Sequence, residues 1–467
     1  MEGRSIIPEP LANSSAHLIG VCGTGMKALA ELLDGLGWRL SGSDLQPASS
    51  AIASLELHGL QFFQGHAAGN VPADVQCVIY SPAIRPDNPE RLEAARRGLP
   101  EWSYGQMIGR LMAARTGICI AGTHGKSTTT AMVGWILSVA GRDPAVLVGA
   151  ELCDGGHSGR AGAGGLLVVE SCEFNHSFLD FHPRHAAILN VEPDHFDCYA
   201  DLPSLQQAFR EFARRVPPQG VLLVNGDCTA TMEAVRDLPS RKVTFGKGMQ
   251  SHWRAESVFD QPDGIRFDIV CRGQHWGQIG LRLHGDHNVH NALAAAALCA
   301  ETGVASHDII AALGSFGGIK RRFEVVGEWN GILRIDDYAH HPTAVRATLQ
   351  TARQMYGPRR IWCAFQPHQV SRTVALMDDF AASFDAADEV LIAPVFAARE
   401  SVTDEPYEVS RELARRIGAR GRACRFVESL DQIITTVDDA ARPGDVLIAM
   451  GAGDIDRIHH EFIRRIR

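Results

Sequence analysis

The segment Gly122-Thr123-His124-Gly125-Lys126-Ser127-Thr128-Thr129-Thr130 follows an apolar run, Ile118-Cys119-Ile120-Ala121, and opens an amphipathic stretch from Ala131 to Val139. A strand that turns through glycines into a helix commits this part of the chain to an α/β layer. Backbone N–H groups of the turn and the helix N-terminus then face an anion. Lys126 neutralises terminal phosphate charge, and the Ser127 hydroxyl is placed to hold Mg²⁺. The pattern predicts that Gly122, Thr123, His124, Gly125, Lys126, Ser127 and Thr128 hold a nucleoside triphosphate. The spacing is G-x-x-G-K-S, since the first glycine of the longer G-x-x-x-x-G-K-[ST] pattern would fall at Ile120.

At 467 residues the chain is long enough for about three domains of ordinary size. A content of 45% hydrophobic and 21% charged residues is that of a soluble globular protein. The net charge of -9 excludes nucleic-acid binding through a general basic surface and leaves room for a local basic pocket. No apolar run approaches the roughly 20 residues that span a bilayer, and Met1-Glu2-Gly3-Arg4-Ser5 lacks a signal-peptide core, so the expectation is a cytoplasmic protein without membrane insertion. Eleven cysteines spread from Cys22 to Cys424 contain no C-x-x-C pair and read as reduced thiols.

Three blocks follow from the pattern of strands and helices: residues 1–115, 116–318 and 319–467. The first has a strand at His17–Cys22, a helix from Met26 to Leu36 and a strand at Cys77–Tyr80. The second adds strands at Leu166–Val169, Ala186–Leu189 and Val221–Val224 to the phosphate loop. Its short alternations from Lys242 to Leu283 predict an antiparallel insert or extension before a helix at Asn288–Cys299. The third alternates strands at Leu333–Asp336, Ile361–Phe365, Val390–Ala393 and Val446–Met450 with helices, the order of a parallel doubly wound sheet. A hinge between the last two blocks is expected near Gly317 and Gly318.

Gly23-x-Gly25-x-x-Ala28 after a strand, with Asp44 downstream, fits an NAD site, and equally the diphosphate of a UDP-sugar. A second phosphate site at Gly122–Ser127 would be idle in an NAD-dependent dehydrogenase. The diphosphate reading takes in Gly23, Thr24, Gly25, Met26, Ser43, Asp44 and Ser81. Glu170-Ser171-Cys172-Glu173 ends one apolar strand, and Asn190-Val191-Glu192-Pro193-Asp194-His195-Phe196-Asp197 ends the next. Carboxylates and an imidazole beside a phosphate loop are what a divalent metal on a triphosphate requires, so Glu173 and His195 join Ser127 as metal candidates. Asp194 and Asp197 serve chemistry or cap the helix from Leu202. A zinc hydrolase would want a nitrogen- and sulfur-rich site instead.

With these segments in order along nearly the whole chain, together with His287-Asn288-Val289-His290-Asn291-Ala292 and Arg321-Arg322-Phe323, the sequence resembles the Mur ligases. Within them, three segments mark the type that adds the first amino acid: Gly20–Met26, Asp336-Asp337-Tyr338-Ala339-His340-His341-Pro342-Thr343 and Phe365-Gln366-Pro367-His368-Gln369-Val370-Ser371-Arg372-Thr373. Ala397-Ala398-Arg399-Glu400 and Gly451–Ile455 agree.

The resemblance implies a Rossmann-like N-terminal domain for UDP-N-acetylmuramate, a central P-loop domain for ATP, and a doubly wound C-terminal domain for L-alanine. It implies peptide-bond formation through an acyl phosphate, in peptidoglycan precursor synthesis, by a monomer or weak dimer. Lys126, Glu173, His195 and Arg322 become the catalytic group, with Mg²⁺ on Ser127, Glu173 and His195. Asn288 and Asn291 are expected at the adenine, and Asp337 at the ribose or at the closing third domain. His340, His341 and Arg372 are expected at the amino acid, Arg372 on a substrate carboxylate; either histidine equally well caps or packs. Asp336 also reads as structural. Many relatives carry a carbamylated lysine after the metal-binding histidine; no lysine lies between Lys126 and Lys242, a gap expected for this type. Gln369 and Val370 depart from the Arg or Thr and aromatic residue usual there. The alternative inside the family adds a whole tripeptide, typically with Phe where this chain has Pro193.

Overall fold

A computed structural model describes residues 14–153, 156, 158–398, 400 and 405–464. Met1–Ser5 and Arg399 lie outside the described residues.

The first sheet has five parallel strands in the spatial order Gln61–Gln64, Arg39–Asp44, Ser15–Ile19, Cys77–Tyr80, Glu101–Ser103. The strand order reverses at Ser15–Ile19, buried along its length, which opens a crevice at the carboxyl ends of that strand and Cys77–Tyr80. Gly20 turns the chain there at φ +81, where a Cβ would approach Ser81 Cβ to 3.0 Å. The helix Thr24–Gly35 follows, and Met26, Leu29, Leu32 and Leu33 at helical spacing face the core.

Ten strands form the second sheet. Its strand Thr116–Ala121 lies between Leu166–Ser171 and His185–Ile188, all parallel, with Ala121 opposite both Ser171 and Ile188. Three strands therefore end at one level and deliver Gly122, Cys172-Glu173 and Leu189-Asn190 side by side. The alternation after Lys242 becomes an antiparallel meander, Trp253–Gln261, Gly264–Cys271 and Gln274–Leu281, which extends the sheet beyond Lys242–Gly246. Along it Ile265, Phe267 and Ile269 are buried while Arg266 is exposed.

The third sheet runs Glu324–Trp329, Ile332–Asp337, Val446–Met450, Ile361–Phe365, Glu389–Ile392, Ala423–Phe426. All neighbours are parallel except the first pair. That antiparallel edge strand carries Gly327 and two exposed valines, Val325 and Val326, too weak an alternation to be read beforehand.

One apolar cluster runs from Ala16 and Leu29 through Cys119 and Phe178 to Phe209 and Leu238, joining the first two sheets. At their contact the edge strand Gly159–Arg160 meets the helix Thr24–Gly35: the Gly159 N–H donates to Glu31 at 2.6 Å, and a Cβ would lie 1.8 Å from the Ala28 carbonyl oxygen. The third sheet keeps separate clusters around Phe365 and Trp362. The stretch expected to hinge, Gly317–Gly318, is tied into the fold. Gly318 accepts from the Cys153 N–H (3.1 Å), Ile319 bridges Leu152, and the Lys320 N–H donates to Glu151 (2.8 Å), so this stretch is strapped to the second sheet. Just after it, Arg321 (φ +58) and Phe323 (φ +52) are left-handed.

Candidate active site

A cleft of about 860 Å³ gathers residues carried by all three sheets: Thr24 and Gly25, Gly125 and Lys126, His340 and Arg372. Gly125 is left-handed (φ +80), and a Cβ there would stand 2.3 Å from Asn291 Oδ1, so both conformation and space demand glycine. Asn190 clamps the loop by accepting the His124 N–H (2.7 Å) and donating to the His124 carbonyl (3.1 Å). The helix Lys126–Val139 starts directly behind, its free N–H groups facing the cleft.

The Lys126 ammonium donates to the carbonyls of Gly122 (2.5 Å) and Thr123 (3.3 Å) and to Glu173 (3.0 Å). Burial works against its charge, but the Glu173 carboxylate outweighs this and holds the lysine above its usual pKa. Glu173 is 1% exposed and lies 3.6 Å from His195 Nε2. His195 is left-handed (φ +52), and its Nδ1 is buried without a hydrogen-bond partner among the described residues. The Ser127 hydroxyl donates to Glu170 Oε1 (3.0 Å), whose other oxygen accepts the Gly149 N–H (2.6 Å). Ser127, Glu170, Glu173 and His195 thus present three oxygens and one nitrogen, a set that suits Mg²⁺. Glu170 is absent from the sequence-derived metal group, although its Glu-x-x-Glu spacing from Glu173 on a strand end was the available signal.

From the third sheet, Arg372 reaches across to the second. Its Nε donates to Asp194 Oδ1 at 2.7 Å, with side chains 3% and 5% exposed, and NH1 donates to the His368 carbonyl (3.0 Å). Arg372, expected on a substrate carboxylate, thus already engages one carboxylate of the chain's own through Nε. Burial opposes ionisation of Asp194, but His195 and Arg372 hold it well below the usual carboxylate range. Neither Asp194 nor Asp197 caps the following helix; Asp201 does, accepting the Ser204 N–H at 2.9 Å. His341 is the N-cap of Pro342–Tyr356, and its Nε2 lies 3.2 Å from the Pro193 carbonyl. His340 Nδ1 lies 2.8 Å from the Tyr338 carbonyl; burial, with Arg372 beside it, pushes its pKa far down.

Asn288 and Asn291 line the cleft behind the loop, and Asn291 lies within 3.3 Å of Thr129 Oγ1. Arg322 also lines it, 5.2 Å from the Tyr338 ring centroid. Asp337 accepts the N–H groups of Phe323 (2.8 Å) and Ala339 (2.7 Å), so it fastens the start of the third sheet to the turn at 321–323. His368 and Gln369 join the lining, and Gln369 is left-handed at φ +69.

The first-sheet candidates divide. Thr24 and Gly25 line the shared cleft, and Gly23 precedes them at the helix start. Ser81 sits at the neighbouring strand end, its hydroxyl accepting the Ala83 N–H (3.4 Å). Ser43 is a correction: fully buried, its hydroxyl donates to Glu90 (2.6 Å) inside the fold. The Met26 side chain is likewise core, 2% exposed. Asp44 braces that loop by accepting the Cys22 N–H (2.9 Å) and the Gln46 N–H (3.0 Å).

Family models match three successive stretches: the Mur ligase family catalytic domain at residues 15–116, the Mur ligase middle domain at 120–299 and the Mur ligase glutamate ligase domain at 321–453. Among curated relatives, a UDP-N-acetylmuramate–L-alanine ligase of Salinibacter ruber is 40% identical over 96% of this chain and 94% of its own.

The chain belongs to the Mur ligase family.

A second such relative, from Acetivibrio thermocellus, is 36% identical over 99% of this chain and 98% of its own. Among Mur ligases of known structure, the UDP-N-acetylmuramate-alanine ligase of Thermotoga maritima matches with a TM-score of 0.82 at 27% identity, covering 97% of this chain and 99% of the other. A murein peptide ligase from Psychrobacter arcticus matches with 0.76, also at 27%, over 97% and 98%. As a Mur ligase this chain unites its phosphate loop with both flanking sheets in one cleft. No described helix is long and apolar enough to cross a membrane.

Proposed function

We propose that this Mur ligase joins L-alanine to the lactyl carboxylate of UDP-N-acetylmuramate at the expense of ATP, in peptidoglycan precursor synthesis. The observation that carries the reading is the single cleft onto which the Gly23–Gly25 turn, the phosphate loop and the third-sheet strand ends all open. The relatives' names supply the substrates.

The lactyl carboxylate attacks the γ-phosphorus and the bond to the β-phosphate oxygen breaks, leaving ADP and an acyl phosphate. The L-alanine amine then attacks the acyl carbon, phosphate leaves, and the amine loses a proton. An anion must first approach a polyanion. The loop amides and the helix N-terminus at Lys126 hold the phosphates, while the Lys126 ammonium and the Arg322 guanidinium lower the repulsion and meet charge developing on the transferred group. Ser127, Glu170, Glu173 and His195 would hold Mg²⁺, which would supply charge neutralisation on the phosphates. Asn288 and Asn291 receive the adenine side of the nucleotide.

His340, whose Nδ1–H is given to the Tyr338 carbonyl, keeps Nε2 unprotonated as an acceptor for the incoming amine. Arg372, anchored on Asp194 through Nε, retains NH2 for the amino-acid carboxylate. An acyl phosphate hydrolyses in water, so closure of the third sheet over the loop guards the intermediate.

The test is incubation with UDP-N-acetylmuramate, ATP and Mg²⁺ against a panel of L-alanine, glycine, L-serine and a wall tripeptide, reading phosphate release. L-Alanine is expected to give the highest kcat/KM; a preference for the tripeptide, or tight NAD binding with none for the UDP-sugar, overturns the proposal.

A further inference from the structure

Three side chains of the same cleft, His124, Glu192 and His341, to which the reaction above gives no step, meet where the second and third sheets touch. His124 Nε2 lies 3.4 Å from Glu192 Oε2, and His341 Nδ1 lies 3.9 Å from the same oxygen. The three ligand-type atoms all fall within 4.8 Å of one another. They come from the phosphate loop, from the segment after His185–Ile188, and from the cap of the helix Pro342–Tyr356.

Each group is held for this geometry by bonds outside the trio. The His341 Nε2–H points to the Pro193 carbonyl at 3.2 Å, which fixes the ring with Nδ1 as its acceptor atom, 3.9 Å from Glu192 Oε2. A ring N–H given to a carbonyl is how metal-binding imidazoles are oriented. The competing Thr343 N–H reaches Nδ1 only at 3.4 Å. His124 is clamped through its backbone by Asn190. Glu192 receives the Thr343 hydroxyl at 2.6 Å.

Two imidazoles and a carboxylate, with a fourth position open to the cleft, form a zinc-type donor set. A tetrahedral ion with bonds of about 2.0–2.1 Å needs donors roughly 3.4 Å apart. One spacing already meets this and a second is within half an ångström, about the scale of a side-chain adjustment. Mg²⁺ is drawn instead to the oxygen-rich group around Glu170 and Glu173.

We propose that His124, Glu192 and His341 form a binding site for a borderline-soft divalent cation of the Zn²⁺ or Co²⁺ class. Because two ligands belong to the middle part of the chain and one to the third, the ion ties these two parts together.

The test is a Co²⁺ titration of the metal-stripped full-length protein, followed in visible d–d absorption, with Zn²⁺ competing against a chromogenic chelator. Parent protein is expected to give an intense tetrahedral spectrum that survives in Cys172→Ala and Glu173→Gln. Glu192→Gln and His124→Ala are each expected to weaken the site by about tenfold or more. His341→Asn keeps a capping side chain, so its loss of Co²⁺ reads ligation rather than helix stability. Equal affinity in these three variants, a weak octahedral spectrum, or loss of signal in Cys172→Ala or Glu173→Gln overturns the proposal. None of these readouts depends on ligase turnover, so failure here leaves the proposed reaction standing.

Discussion

Replacing Arg372 by methionine removes one half of a buried ion pair that joins two separately cored parts of the molecule. The guanidinium Nε and Asp194 Oδ1 are 2.7 Å apart, with the side chains 3% and 5% exposed. Removing one partner of such a pair leaves an uncompensated buried charge and costs about 3–5 kcal/mol. Asp194 keeps one bond, the His195 N–H at 2.7 Å, which does not replace a full charge. Under the closure proposed above, the third sheet swings away and returns Asp194 to water, so the penalty falls on closure rather than on folding. At about 1.4 kcal/mol per tenfold, the closed-to-open ratio falls by roughly a hundredfold to a few thousandfold. Small-angle scattering with UDP-N-acetylmuramate and a non-hydrolysable ATP analogue should show a larger radius of gyration for Arg372→Met than for the parent. Its apparent requirement for L-alanine should rise far more than that for ATP. Adding Asp194→Leu removes the stranded charge and should restore compactness without restoring turnover. An unchanged radius in Arg372→Met, or a double variant no more compact than the single one, would refute the reasoning.

Lys126→Ala should cut ADP formation by about a hundredfold or more, the usual loss for one charge-stabilising group, while UDP-N-acetylmuramate binding by calorimetry stays close to the parent; turnover within about tenfold would discredit the loop assignment. Gly125→Ala forces a Cβ to 2.3 Å from Asn291 Oδ1 at φ +80, so ATP affinity should collapse, and unaltered affinity would show that the loop has another conformation. Asp336 is pushed from 3.8 to about 7 by burial, with Arg321 opposing and Asp456 adding to the rise; the folded chain therefore holds a proton that the unfolded chain releases above about pH 4, and stability drains by up to about 4 kcal/mol as pH climbs to 7. Asp336→Asn should flatten this decline in urea denaturation between pH 5 and 8, and a parent whose stability rises relative to the variant over that interval would contradict the burial argument.

The strand, turn and helix around Lys126 were legible because glycine, lysine and apolar runs each have one strong local meaning, and the Glu170–Glu173 and Asn190–His195 strand ends were legible for the same reason. The antiparallel meander after Lys242 followed from alternation alone. What stayed hidden depends on contacts distant in sequence. Nothing near Ser43 reveals that Glu90 takes its hydroxyl, and nothing near Arg372 reveals Asp194, which lies 178 residues away. Glycine composition at Gly317–Gly318 likewise says nothing of the bonds that Glu151–Cys153 make to the backbone of residues 318–320. Glu192 escaped because a carboxylate followed closely by Asp194 and Asp197 looks like solvated surface until His124 and His341 are brought to it.

The apolar cluster that crosses from Ala16 to Leu238 makes the first two sheets heritable only as a pair, since recombination near Thr116 would give each parent a mismatched half of one interior. A crossover just after Lys320 meets no such obstacle, because the third sheet is filled by clusters of its own. A lineage can therefore acquire a new acceptor for the incoming amino acid as a cassette, provided that the arriving segment still offers a cation to Asp194.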